Sequence, residues 1–385
     1  RDNRPEKLLR SLRRCVDGIL VDAWRVAALP AHTALVGVGG YGRGELFPHS
    51  DVDVLILLGA PPDAITQAKL ENLVQLLWDL GLEIGHSIRT VDECMSESAA
   101  DITVQTSLLE ARLVTGDAAL FAQLQKRYRE ALDPQAFFQA KTAEMRLRHA
   151  KYEFTPYSLE PNVKESPGAL RDLQVILWVA KASGLANSWG QLATRGLITR
   201  LEARQLMEKE RAFKDIRVRL HLQTGRREDR LLFDVQTAIA ESFGLVSDPP
   251  GEGARRASEY LMQRYYWAAK AVTQLNQILL QNIEEHLRAA RGEAAPEQRR
   301  INERFFDKGG MIEVASDDLY QREPQAILET FLLYAKTPGL KGLSARTLRA
   351  LYNARTVMDH GFRTDPANRK TFLAILQQPQ GITHA

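Results

Sequence analysis

A glycine pair followed at close range by two aspartates constrains this chain more than any other stretch. Residues 36–58 read VGVGGYGRGELFPHSDVDVLILL. An apolar run over 34–38 breaks into Gly39 and Gly40, and Asp51-Val52-Asp53 opens a second apolar run over 54–58. Side chains alternate faces along a strand, so Asp51 and Asp53 share one side while Val52 and Val54 turn to the core. Two carboxylates roughly 7 Å apart on one strand face suit a shared hard cation or two adjacent ones. The glycines let the backbone approach closely, and their N–H groups can hold phosphate oxygens beside the metal. The next strand begins too soon for a full crossover helix, which excludes a dinucleotide-binding fingerprint. Phosphate cradle plus paired carboxylates is the donor set of metal-assisted nucleotidyl transfer.

That conjunction resembles the nucleotidyltransferase superfamily related to DNA polymerase beta, whose pattern is Gly-Gly or Gly-Ser followed by Asp-x-Asp or Asp-x-Glu. The wording GVGGYGRGEL followed by SDVDVLIL is similar, more narrowly, to the amino-terminal domain of the bacterial PII uridylyltransferase family. LEPNVKESPGALRDLQ at 159–174 resembles that family's Pro-Asn-x-Lys…Pro-Gly-Gly-Leu-Arg-Asp segment, with Ala169 where a second glycine is usual. RVRLHLQTGRREDRLLFDVQ at 217–236 resembles its Leu-His…Gly-Arg…Asp-x-Leu segment. The likeness runs from about residue 30 to the carboxyl end.

Composition narrows the remaining possibilities. At 385 residues the chain is expected to form two or three compact units. Its 44% apolar and 26% charged residues are those of a soluble globular protein, and a net charge of +3 does not argue for nucleic acid. Cys15 and Cys94 are too few for a disulfide framework or a zinc cluster, which fits a reducing cytoplasm. No apolar segment reaches 18 residues, so no membrane partner is expected.

The expected fold class is α+β, a small mixed-sheet nucleotidyltransferase head with a predominantly α-helical second domain. Residues 6–28 read as an amphipathic helix, Pro61-Pro62-Asp63 starts another, and 82–90 alternates like a strand. Helical patterns run over 117–131, 134–153, 167–183, 199–223, 231–242, 253–291, 296–307, 323–335 and 343–359. The expected division is a catalytic domain over 1–115, a helical substrate-binding domain over 116–290, and a helical linker region over 291–385. None of the eight histidines is followed by Asp, so the chain reads as the transferase half of a family that also carries a His-Asp hydrolase domain.

Asp51 and Asp53 are the expected metal ligands, for magnesium or alternatively manganese. The superfamily resemblance implies a third carboxylate, for which Glu83 and Asp101 are both candidates; Asp101 also suits a helix N-cap. Gly39 and Gly40 would present N–H groups to the phosphates, with Arg43 or Ser50 supplying the contact that a serine gives in other branches. Lys164 and Arg171 would reach the triphosphate or close the cleft from the helical side, while Asn162 and Asp172 would either recognise uracil or fix their loop. His221, Arg226, Arg227 and Asp229 are weaker candidates, and Tyr260, Tyr265, Tyr266 and Trp267 read as core packing. The resemblance implies uridylyl transfer from UTP to a tyrosine of the PII signalling protein. Its rivals are an adenylyltransferase or other nucleotidyltransferase, and a degenerate regulatory nucleotide-binding module.

Overall fold

The computed structural model describes residues 5–251 and 253–379. The first elements are α1 (Pro5–Ala27), β1 (Thr33–Gly37), the single turn α2 (Gly39–Gly42), β2 (Val52–Leu58), α3 (Ala64–Asp79) and β3 (Ile84–Thr90). They continue with α4 (Val91–Ala100), α5 (Ile102–Leu109), β4 (Arg112–Gly116) and α6 (Ala118–Ala131). The strands form one sheet in the order β3-β2-β1-β4, with β1 antiparallel to β2 and β4, and β2 parallel to β3. Val52, Val54, Ile56 and Leu58 pack with Leu20 of α1 and Leu70, Leu73 and Leu77 of α3. Alternation therefore sends Asp51 and Asp53 to the opposite face. The register pairs Val52 with Ile84 and Asp53 with Gly85, so Gly85 lies on the aspartate face. Strand β3 starts at Ile84, which leaves Glu83 just ahead of it rather than within it.

A series of helices follows. These are α7 (Pro134–Ala150), α8 (Leu170–Ala182), α9 (Trp189–Thr194), α10 (Arg200–Thr224), α11 (Phe233–Ser242) and α12 (Ala257–Ala290). Thr199 and Glu202 form a capping box at the start of α10, and Gly225 ends it in the left-handed conformation at φ 64°. The described residues divide into two compact units between Val272 and Thr273, within α12. The sheet of the first unit and the helices up to Val272 therefore belong to one compact body.

The second unit corrects the expectation of a purely helical 291–385. The pattern read as a helix over 296–307 is instead β5 (Gln298–Arg300) and β6 (Phe305–Lys308), and β7 (Met311–Val314) and β8 (Gly342–Leu343) complete a sheet in the order β5-β6-β7-β8. Lys308 pairs with Met311 across Gly309 and Gly310, whose φ values of 62° and 88° meet the demand of a two-residue hairpin for positive φ. The helix read over 343–359 is shorter, α15 (Ala345–Asn353), in a series with α13 (Leu319–Arg322), α14 (Ala326–Lys336), α16 (His360–Thr364) and α17 (Pro366–Leu376). The fold is α+β, as expected, with this second small sheet added.

A polar clamp fastens the loop after α2 to α10. Glu45 accepts from Arg43 Nε at 2.9 Å and from Lys214 Nζ, while Lys214 also pairs with Glu210 at 2.7 Å. Burial by itself would raise the Glu45 carboxyl, but the Arg43 and Lys214 charges outweigh it and hold it at about 2. A carboxylate held below its usual 4.5 stabilises the fold above that pH and loses the contribution as pH falls toward about 2. Glu45→Gln should therefore be less stable near neutrality and lose less stability on acidification. Urea midpoints at about pH 6 and about pH 3 check this; equal acid sensitivity in the two proteins would rule the clamp out as a source of acid lability.

Candidate active site

The glycine turn and the aspartates meet because β1 and β2 are antiparallel neighbours. The Val38 N–H donates to the Asp53 carbonyl at 3.0 Å, which seats the Gly39 turn beside the end of β2. Gly39 has φ 56°, a conformation that side chains with a Cβ avoid, and a Cβ there would lie 3.2 Å from Asp53 Oδ2. A Cβ on Gly85 would come to 2.5 Å from Asp53 Oδ1. Two glycines thus keep the space around this carboxylate clear.

The turn is braced from behind. Tyr41 is fully buried, and its hydroxyl donates to Asp17 Oδ1 at 2.5 Å. Arg112 donates to both Asp17 oxygens at 2.9 and 3.2 Å and lies 5.1 Å from the Tyr41 ring centroid. Asp17 on α1 and Arg112 on β4 therefore hold the glycine turn through Tyr41, a connection between three distant segments that no local pattern announces.

A cavity of about 310 Å³ opens over the turn, lined among others by Gly39, Gly40, Arg43, Ser50, Asp51, Asp53, Lys164 and Arg171. Eight of the expected site residues are brought together there. Burial, and then the Asp51 charge, raise the Asp53 carboxyl above its usual range. Asp51 is ion-paired with Arg227, so a guanidinium stands where a cation would. Same-face carboxylates, a cation already on one of them and glycine-cleared space form a donor set that fits a hard divalent ion. Among the described residues no group of three or more His, Cys, Asp and Glu side chains is arranged to hold a metal. Glu83 is exposed and lines a shallow recess with Asp51 and Asp53. Asp101 does not join them: it caps α5, accepting from the Thr103 N–H at 2.6 Å.

Cations dominate the helical wall. Lys164 is pushed down to about 8 by burial and by the neighbouring Arg217 and Arg171. Arg171 donates to Glu165 at 2.9 Å, and Arg43 to Glu110 at 3.1 Å. Asn162 and Asp172, by contrast, shape the loop that carries Lys164. Asn162 Oδ1 accepts from the Lys164 and Glu165 N–H groups at 2.9 and 2.8 Å. Asp172 is fully buried and accepts from Arg148 at 2.6 Å, His149 at 2.9 Å and the Gly168 N–H at 2.7 Å. Burial alone would raise its pKa, but the His149 bond and the Arg148 charge outweigh it and keep the carboxyl below its usual range. Of the two roles open to these residues, their bonding matches loop fixation.

The weaker candidates separate in the same way. His221 is buried between the Pro48 carbonyl and Asp229, Asp229 receives Arg217 at 2.5 Å, and Arg226 is exposed. Only Arg227 of that group reaches the aspartates. Tyr265 is core, packed on Phe213 and Tyr266, whereas Trp267 is 65% exposed. Lys141 and Trp178 in the lining carry no local signal in the sequence, while Glu45 and Arg217 lie inside the recognised motifs without being singled out there.

Family comparisons agree with this geometry. Residues 25–106 match a nucleotidyltransferase domain, 136–280 a family described as GlnD PII-uridylyltransferase, and 305–385 the third domain of uridylyltransferase GlnD. A bifunctional uridylyltransferase/uridylyl-removing enzyme of Cupriavidus pinatubonensis is 62% identical over 98% of this chain and 43% of its own length. Its counterparts in Cupriavidus metallidurans and Burkholderia pseudomallei are 62% and 58% identical, each over the whole chain and 44% of the relative. The chain thus spans less than half the length of these curated relatives. With its nucleotidyltransferase head, central region and third domain all matched in order, the chain belongs to the GlnD uridylyltransferase family.

Proposed function

We propose that this chain transfers UMP from UTP to a tyrosine of the PII signalling protein, releasing pyrophosphate, in the cytoplasm and with magnesium as the metal. The observation that carries the reading is the pair Asp51 and Asp53 on one strand face beside the Gly39 turn, in a chain of this family. Asp51 and Asp53 would hold the ion, and Arg227 would exchange its partner Asp51 for a phosphate oxygen. Bound magnesium would screen the triphosphate and favour the ionised nucleophile. Gly39 and Gly40 offer backbone N–H groups to phosphate oxygens, with Arg43 and Ser50 beside them. Lys164 and Arg171 supply positive charge from the helical side. The tyrosine oxygen bonds to the α-phosphorus as the α–β phosphoanhydride bond breaks. Glu83 is the carboxylate nearest in kind to the third acid of the superfamily, exposed at the outer side of the pair. In this reading residues 1–115 are catalytic, 116–290 bind substrate, and 291–385 lie in a compact unit with its own sheet rather than forming an extended linker.

No helix among the described residues is long and apolar enough to cross a membrane. An adenylyl donor remains the alternative that a comparison of the four nucleoside triphosphates would separate. A degenerate regulatory module is disfavoured by the intact pair of aspartates.

Asp53→Asn should lower the rate of UMP transfer to PII by roughly 10²–10⁴-fold, or about 3–5 kcal/mol, without changing the melting temperature. Transfer at near wild-type rate by this variant would defeat the assignment. Lys164 makes a second expectation, because a lysine pulled down to about 8 loses its charge within an accessible pH range. UTP affinity should weaken as pH rises through about 8, and Lys164→Met should bind more weakly at low pH and show no such inflection. Calorimetric titration of UTP across that range decides it, and an inflection that persists in the variant would point to another group.

A further inference from the structure

The side of the cavity lined by α5 and α8 is polar where helices usually pack apolar stripes. Thr103, Thr106 and Ser107 on α5 face it at i, i+3, i+4 spacing, and α8 contributes Arg171, Gln174 and Trp178 at i, i+3, i+7. Trp178 is 4% exposed, and its indole Nε1–H is buried with no acceptor among the described residues. A buried donor of this kind is costly to leave unpaired, so it marks a place where a ligand can supply the acceptor. The Trp178 ring has Lys141 Nζ at 4.7 Å and Arg171 Cζ at 5.3 Å from its centroid. Those cations occupy the π-system, which leaves the N–H edge rather than the ring face for recognition.

The neighbouring groups are also committed in one sense each. Gln174 Oε1 accepts from Arg171 at 3.0 Å, so the NH₂ side of its amide is the side left to bind. The Thr106 hydroxyl gives its proton to the Ile102 carbonyl at 2.7 Å and can only accept from a ligand. Two donors and an acceptor therefore lie on this side, and because the indole N–H has no accessible surface in this structure, seating a base there requires Trp178 to shift.

Resting on the nucleotidyl-transfer reading above, we propose that the α5–α8 side of the cavity seats the nucleobase, and that Trp178 and Gln174 read its carbonyl oxygens. Uracil presents acceptor, donor and acceptor along its pairing edge, complementary in kind to this set. Cytosine offers an amino group in place of one carbonyl, and a donor would then face a donor. Discrimination arises because the wrong base leaves buried polar groups unpaired.

The test is calorimetric titration of the whole chain with UTP, CTP and inorganic tripolyphosphate, each with magnesium. Wild type should bind UTP more tightly than CTP. Trp178→Phe keeps the aromatic character and removes the N–H; it should narrow the UTP/CTP ratio by about tenfold while leaving tripolyphosphate affinity unchanged. Thr106→Val removes the acceptor without touching Arg171; it should do the same and covers the case in which Trp178→Phe does not fold. An unchanged UTP/CTP ratio in the folded variants overturns the proposal, as does a parallel loss of tripolyphosphate affinity, which would mean general damage to the cavity. Failure of wild type to bind any nucleoside triphosphate or tripolyphosphate would instead overturn the transfer reading itself, and the base seat with it.

Discussion

One backbone hydrogen bond organises the site: the Val38 N–H to the Asp53 carbonyl, at 3.0 Å. It continues the antiparallel ladder of β1 and β2 past Gly37 and Val54 and draws the glycine turn alongside the acidic end of β2. Without that register Gly39 would not lie against the Asp53 carboxylate, and a one-residue slip would bury both aspartates in the apolar cluster. The same register leaves Gly85 of β3 beside Asp53, so the carboxylate is flanked by glycine on two sides.

Charge is then distributed in compensated steps away from this centre. Asp51 meets Arg227, Arg43 lies between Glu45 and Glu110, and Lys214 joins Glu45 to Glu210. Arg43, Glu45, Glu110, Lys214 and Glu210 are largely withdrawn from water and paired, because an unpaired buried ion would carry a large desolvation cost. The Asp51–Arg227 pair is more exposed. Asp53 and Lys164 are less well compensated. Lys164 comes only to 4.0 Å from Glu165, and the Lys164 and Arg227 charges near Asp53 do not offset its burial. Burial moves each toward its neutral form: Asp53 upward, Lys164 down to about 8. Groups held away from their ordinary charge in a cleft are suited to a ligand that restores it, here a cation for one and a polyphosphate for the other.

Loop 162–172 illustrates how structural and binding roles divide over neighbouring residues. Asn162 and Asp172 spend their oxygens on the loop's own N–H groups and on Arg148 and His149, and in doing so present Lys164 and Arg171 to the cavity. The conspicuous polar letters of the motif thus include positioners as well as contacts. Their types alone do not separate the two, since both roles call for a side chain with a strong acceptor or donor.

What the sequence determined by itself was local and periodic. Alternation along 51–58 placed Asp51 and Asp53 on one face, opposite the packed Val52, Val54 and Ile56, and apolar stripes with capping residues marked most helices of the first unit. The hairpin at Gly309 and Gly310 was legible in principle, yet its strands are short enough for a helical pattern to fit them equally well. Tertiary structure alone decided which distant side chains meet. Arg227 reaching Asp51, Lys214 reaching Glu45, Asp17 bracing Tyr41 and Trp178 lining the cavity join residues separated by long stretches of chain. It also sent Asp101 to a helix cap and Glu83 to the outer rim. Propensity and period act over a few residues, whereas side-chain partnerships are set by how whole elements pack, and packing is a property of the assembled fold.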